Sequence, residues 1–199
     1  MEHAISLEGY GVRLEPLAQR HLPGLMACDE PALWEFTYQP SPFGDEAGAR
    51  EWLASALGGE DRIAFAIVDV RSGEIAGSTH YLDVQPAHRK LEIGWTFLAR
   101  RFWRTHVNTA CKLLLLRYAF ERWGARRVQL KAEAINQRSH RAILGIGATF
   151  EGTLRAYRVR PDGESRDTSF YSIIRPEWPA VERRLTAALE RGALRGARV

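Results

Sequence analysis

Cysteine is nearly absent. Only Cys28 and Cys111 occur among 199 residues, too few for a disulfide framework. Long apolar runs are missing as well. None, the four leucines at 113–116 included, approaches the roughly 20 residues of a membrane span. The start, "MEHAISLEGYGVRL", is polar and acidic and does not read as a signal peptide. Together these absences predict a cytoplasmic protein. His80, His88, His106 and His140 lack the spacing of metal ligands, so no metal is expected. There is no internal repeat and no low-complexity linker, which leaves one domain over residues 1–199, with a basic C-terminal helix and tail from about 177.

What is present is an ordinary globular composition with a basic lean. Hydrophobic residues make up 45% and charged residues 26%, enough to bury a core and to argue against disorder. The net charge is +4, carried largely by arginines: Arg100, Arg101 and Arg104, then Arg117, Arg122, Arg126 and Arg127, then Arg191, Arg195 and Arg198. Such a bias suits an acidic ligand such as a nucleotide-bearing cofactor. It also suits RNA, or a plainly solvated surface.

Periodicity orders the elements. "GVRLEPL" alternates as a first strand. "QRHLPGLMACDEPALWEFT" reads as broken helix, and "DEAGAREWLASAL" as a helix with acids in its first turn. "IAFAIVDV", "IAGSTHYLDV" and "LEIGWTFL" form an antiparallel meander. A long helix over about 109–123 stops at Gly124. "RVQLKAEAI" is a strand, and "NQRSHRAILGIG" a short helix capped by Asn136. Two strands around "PDGE" and a final helix close the chain. The expected fold class is mixed α/β, with helices on both faces of one sheet. Along "LEIGW", alternation puts Glu92 on one face with Gly94 and Thr96, and Leu91, Ile93 and Trp95 on the other.

The segment "LEIGWTFLARRFWRTHVNTACKLLLLRYAFERWGARRVQLKAEAINQRSHRAILGIGATFEGTLR" resembles the core of a GNAT-superfamily acetyltransferase. It is most similar to the ribosomal-protein N-terminal acetyltransferase branch, the RimJ/RimL type. The marks are "EIGW" on a strand, an arginine-led loop opening a long helix, "LKAEAINQRSHRA", and "GATFEGTLR". The match covers roughly 60–175. The resemblance implies a GNAT fold: a mostly antiparallel sheet with a V-shaped splay between the fourth and fifth strands. It implies acetyl-CoA as acyl donor, an amine acceptor, and direct transfer with no covalent enzyme intermediate. A homodimer is common among similar proteins.

The implied site follows residue by residue. Backbone groups near Phe97 and Leu98 meet the pantetheine arm. The loop and helix start Arg104, Thr105, His106, Val107, Asn108, Thr109 and Ala110 receive the pyrophosphate. The family pattern there is Gln or Arg, two residues, Gly, one residue, then Gly or Ala. Arg104 fills the first position, but Val107 and Thr109 stand where the small residues belong. Valine resists the positive φ that glycine permits, whereas helix-terminal amides and their dipole need no glycine. The expectation is a retained phosphate site with altered chemistry. Asn136, Ser139 and Arg141 also fall to the cofactor, with Ser139 placed to meet the departing sulfur. Glu92 is the candidate base for an arriving ammonium, and a structural carboxylate held by an arginine or by amides is the competing reading. Trp34, Phe36 and Tyr38 border the acceptor pocket in similar proteins, and core packing explains them equally well. Two other functions stay open: a catalytically inactive CoA-binding or regulatory protein, and an RNA- or ribosome-associated module. Nucleic acid is otherwise expected only indirectly, through a ribosomal substrate.

Overall fold

In a computed structural model of the chain, the backbone is described for residues 5–37, 39–160 and 162–196. The strands are β1 (Leu7–Gly9), β2 (Val12–Pro16), β3 (Ile63–Asp69), β4 (Ile75–Gln85), β5 (Lys90–Leu98), β6 (Arg127–Glu133), β7 (Thr149–Val159) and β8 (Ser165–Ile174). The helices are α1 (Leu22–Met26), α2 (Pro31–Trp34), α3 (Glu46–Leu57), α4 (Val107–Arg117), α5 (Gln137–Gly145) and α6 (Trp178–Gly196). All eight strands join one sheet in the order β1-β2-β3-β4-β5-β6-β8-β7. Every pairing is antiparallel except β5 with β6, where α4 makes the crossover that parallel neighbours require.

β1 was not expected from sequence. Three residues, "LEG", are too few to show alternation. It pairs with β2 through Tyr10 and Gly11, at φ 54 and 75, the left-handed pair of a tight hairpin. With β1 counted, the splay lies between the fifth and sixth strands.

The core has two layers, one on each sheet face. α4 packs beneath one face together with α6, and its Val107, Ala110, Cys111, Leu113, Leu115 and Leu116 are fully buried. Tyr81 of β4 donates its hydroxyl to the Leu115 carbonyl at 2.6 Å, fixing α4 against the sheet. The helix starts two residues earlier than periodicity suggested. It ends in a π turn over Tyr118–Arg122 before Gly124, at φ 78. The opposite face is covered by α1 and α3 around Leu25, Phe43, Leu53 and Ala66. Asp45 starts α3 by accepting from the Gly48 amide at 2.8 Å.

The alternation along β5 breaks in its middle. His80 pairs with Gly94 but Ser78 pairs with Phe97, so β5 carries one extra residue there, and Trp95 takes φ 45. The bulge reverses the expected facing beyond Gly94. Trp95 now packs by His80 on the α3 face, and Phe97 packs against Trp34, Phe43 and Trp52 on that same face. Thr96 turns to the α4 face. Only Gly94 stays on Glu92's side as predicted. His80 itself is fully buried, and burial pushes its pKa down to about 3.

Glu15 ties β2 to the turn after it. Its carboxylate takes Arg20 at 3.0 Å, Arg13 at 2.7 Å and His21 at 3.2 Å, and these bonds hold its pKa at about 2. Because the folded pKa is depressed, the stabilisation is complete above the unfolded value of about 4.3 and disappears as pH falls toward 2. Glu15→Gln is expected to cost about 1 kcal/mol at pH 7, since Arg20 is largely exposed. Urea denaturation should show that deficit vanishing near pH 2. A deficit that persists undiminished there would remove the ionised carboxylate as its cause.

Candidate active site

β5 and β6 pair only over Lys90–Glu92 and Arg127–Gln129. Beyond Glu92 the strands part, so this edge of β5 has no β6 partner near Phe97 and Leu98; the Phe97 carbonyl points toward β4 at Gly77, and the Leu98 carbonyl accepts from the Trp103 indole at 2.7 Å. The α4 start and α5 flank the opening. The result is one cleft of about 1210 Å³ that runs from Arg104 and Asn108 past Thr96 and Leu130 to Glu92, Tyr157 and Phe36. It opens where the β5–β6 ladder ends after Glu92, on the stretch of β5 that carries the bulge.

At the helix end, Phe97, Leu98, Arg104, Thr105, Asn108, Thr109, Asn136, Ser139 and Arg141 all line the cleft. His106, Val107 and Ala110 do not. Val107 and Ala110 are fully buried in the core, and the His106 ring lies against the Tyr10–Gly11 turn. The missing glycines have a structural answer. The positive φ of this loop falls on Arg104, at 61°, whereas Val107 already begins α4 with its side chain turned inward. Thr105 donates its hydroxyl to the Phe102 carbonyl at 2.7 Å and accepts from the Val107 amide at 3.3 Å. The amides of Asn108 and Thr109 sit where a helix start has no internal acceptor to offer, and they face an anion equally well without glycine. At the start of α5, the Asn136 side-chain Oδ1 accepts from the Ser139 amide at 2.9 Å, which caps the helix, and Ser139 lines the cleft.

At the other end, Glu92 is 8% exposed. Its Oε2 accepts from Lys131 Nζ at 2.7 Å and from Gln129 Nε2 at 3.2 Å. Burial lowers the Lys131 pKa, but the Glu92 charge and hydrogen bond outweigh it and the net direction is upward. The carboxylate is thus held by a lysine, where an arginine or amides had been the expected partners. Lys131 also reaches the Tyr157 hydroxyl at 3.3 Å and lies over the rings of Tyr157 and Phe170. Deeper in, the buried Glu133 is held by Arg160 and by Arg166 at 3.4 Å. Arg166 reaches the Phe36 carbonyl, and Arg138 reaches that of Ala32, each at 3.4 Å, which ties the α2 region over the cleft. Phe36 lines the cleft. Trp34 does not: it packs on Phe43 and Phe97 and donates to Asp29. Tyr38 lies outside the described residues.

Sequence reasoning missed Lys112, Lys131, Glu133, Tyr157 and Arg166, all of which line this cleft. A period-2 reading of "VQLKAE" would have put Gln129, Lys131 and Glu133 on one face. Tyr157 and Arg166 left no local signal, because β7 and β8 bring them in from far along the chain. The cleft fits a long anionic thioester cofactor. It offers an unpaired strand edge for amides, helix-start amides with Arg104 and Arg141 for phosphates, and a buried carboxylate at the far end.

The model of the Acetyltransferase (GNAT) domain matches residues 12–149. The chain belongs to the GNAT acetyltransferase family. A GCN5-related N-acetyltransferase from Brucella melitensis is 31% identical, with a TM-score of 0.89, over 94% of this chain and 86% of that one. The uncharacterised N-acetyltransferase YoaA of Bacillus subtilis (strain 168) is 29% identical over 103 residues, 52% of this chain and 57% of YoaA. The matched stretch therefore spans little more than half of that relative. Mycobacterium smegmatis RimJ, solved in complex with CoA-disulfide, shares the fold at a TM-score of 0.76 and 21% identity, over 92% of this chain and 93% of that one. The expected GNAT architecture is therefore present. Among the described residues of this GNAT domain there is no group of three or more His, Cys, Asp or Glu placed to hold a metal, and no helix long and apolar enough to cross a membrane.

Proposed function

We propose that this GNAT domain transfers an acetyl group from acetyl-CoA directly to a primary amine, on a protein N-terminus or a small molecule, with no covalent enzyme intermediate. The observation that carries the reading is the single cleft joining the parted edge of β5, the start of α4 and the Glu92 carboxylate. Acetyl-CoA supplies an activated acetyl thioester. The chain does the rest. The parted edge of β5 near Phe97 and Leu98 offers backbone groups for an extended amide-bearing arm, in the manner of an added strand. Arg104, Asn108 and Thr109 offer charge and donors for the phosphates. Glu92, directly or through water, takes the proton that an ammonium must lose before it can attack. Fixing both reactants in one cleft supplies much of the rate. Cys111 plays no nucleophilic part: it is buried in the core, and burial pushes its thiol pKa up.

Calorimetry with CoA and a free-thiol assay over a panel of amines test the proposal. Arg104→Ala should weaken CoA binding by roughly tenfold or more, as loss of a charge-assisted bond worth about 1.5–3 kcal/mol implies. Alanine bears the same left-handed strain as arginine at this position, so the side chain and not the backbone is tested. A wild-type protein that fails to bind CoA at millimolar concentration would sink the proposal.

A further inference from the structure

Lys112 stands in an unexpected place for an ammonium. It lies on α4 one turn beyond Asn108, lines the same cleft, and is only 7% exposed. Its Nζ donates to Thr96 Oγ1 at 2.7 Å, and that hydroxyl is 2.7 Å from the hydroxyl of Thr79. None of the ion pairs among the described residues includes Lys112. A buried cation without a counterion costs stability, and a packing role alone would be better served by an apolar side chain. Nζ also has donors left over after its bond to Thr96.

Its position relative to the sheet is the decisive point. Glu92 and Lys131 lie on the α3 face of β5 and β6. Thr96 has been turned to the α4 face by the bulge, and Lys112 meets it there. The two sets look into the splay from opposite sides. In the proposed reading, Phe97 and Leu98 hold the pantetheine amides and Glu92 marks the acetyl end. Thr96 lies between them along β5, on the stretch that this reading gives to the thioester. A nitrogen arriving from Glu92's face expels that sulfur toward the α4 face.

We infer that Lys112 is a catalytic residue that meets the departing CoA sulfur, stabilises its negative charge and supplies its proton. The inference rests on the acetyltransferase reading above. The acceptor nitrogen forms a bond to the thioester carbon, and the carbon–sulfur bond breaks with its electron pair on sulfur. Sulfur takes a proton from the Lys112 ammonium, and the acceptor's proton leaves through Glu92. Lys112 is then reprotonated from solvent. Ser139 faces the same cleft from α5, but a neutral hydroxyl stabilises an anion less than an ammonium does. The nearby titratable groups do not compete. Burial raises the Cys111 thiol pKa and keeps His80 neutral. Burial also lowers the pKa of Lys112, which eases release of its proton.

The test begins with the wild-type protein. Thiolate absorbance of bound CoA, titrated with pH, should show a midpoint about one unit or more below that of free CoA. A midpoint at or above the free value overturns the inference. In Lys112→Met, that midpoint should return to the free value or higher, and kcat should fall by roughly 100-fold or more. CoA affinity should change little, and the melting temperature should hold or rise. Normal turnover in this variant, or a lower melting temperature with kcat intact, overturns the inference. Should Lys112→Met fail to fold, Thr96→Val removes only the anchor of Nζ and should also raise the bound-thiol midpoint; an unmoved midpoint counts against Lys112. Wild-type protein that binds no CoA, or turns over no amine, defeats the acetyltransferase reading itself. Wild-type turnover with an indifferent Lys112→Met removes Lys112 alone.

Discussion

Replacing Glu92 by glutamine is expected to lower acetyl transfer by roughly 10²–10⁴-fold, the usual worth of a positioned acid or base. The amide keeps the shape and the bond from Gln129 and loses the basicity. CoA affinity should barely move, because the carboxylate stands at the far end of the cleft from Arg104 and Asn108. The deficit should shrink at high pH, where more of the acceptor amine arrives neutral. Stability enters as well, since Lys131 loses its anion. It keeps the Tyr157 hydroxyl and partial contact with solvent, so the melting temperature should fall only modestly. Rates at pH 7 and pH 9, measured with a melting curve on the same sample, separate the two roles. If Glu92 serves only to anchor Lys131, the variant melts early and what remains folded turns over normally. A stable, active Glu92→Gln protein would assign the proton to solvent and leave orientation as the main source of rate.

Gly77→Ala should produce the largest loss of stability, about 3 kcal/mol or more. Gly77 pairs with Leu98 at the end of β5, and its φ of 154 lies in a region that side chains avoid. A Cβ there would stand 2.0 Å from the Phe97 carbonyl oxygen, 2.9 Å from its carbon and 3.0 Å from the Leu98 Cα. All three are backbone atoms, so no side chain can swing aside. Either β4 parts from β5 or the Phe97–Leu98 edge shifts, and that edge is the part of the cleft assigned to the pantetheine arm. Urea denaturation should show the midpoint falling, and CoA affinity should fall with it in whatever folds. An alanine variant of native stability would mean that β4 and β5 are not packed this tightly.

Much of this protein could be read along the chain. The meander, the helix after β5, the Asn136 cap and the final helix all carry local signals: alternation, a breaker, a capping side chain. Arg104, Asn136, Ser139 and Glu92 stood at positions of a family pattern from which Thr109 departs, and the cleft contains all five. The identity of a side chain and its distance along the chain are sequence properties, so such candidates can be picked out before any fold is known.

Facing and pairing across the chain were not local properties. Strict alternation placed Thr96 beside Glu92, but a single extra residue at Trp95 sent it to the other face and to Lys112. The left-handed turn of the loop falls on Arg104 and not on Val107, which no local pattern showed. Lys131 and Glu133 gained meaning only when β6 came beside β5 and the arginines around β8 closed in. Residue types and local periods determined which elements form and which residues are candidates. The bulge, the parting of β5 from β6 and the packing of α4 decided which of those residues meet, because strand register and burial depend on neighbours dozens of residues away.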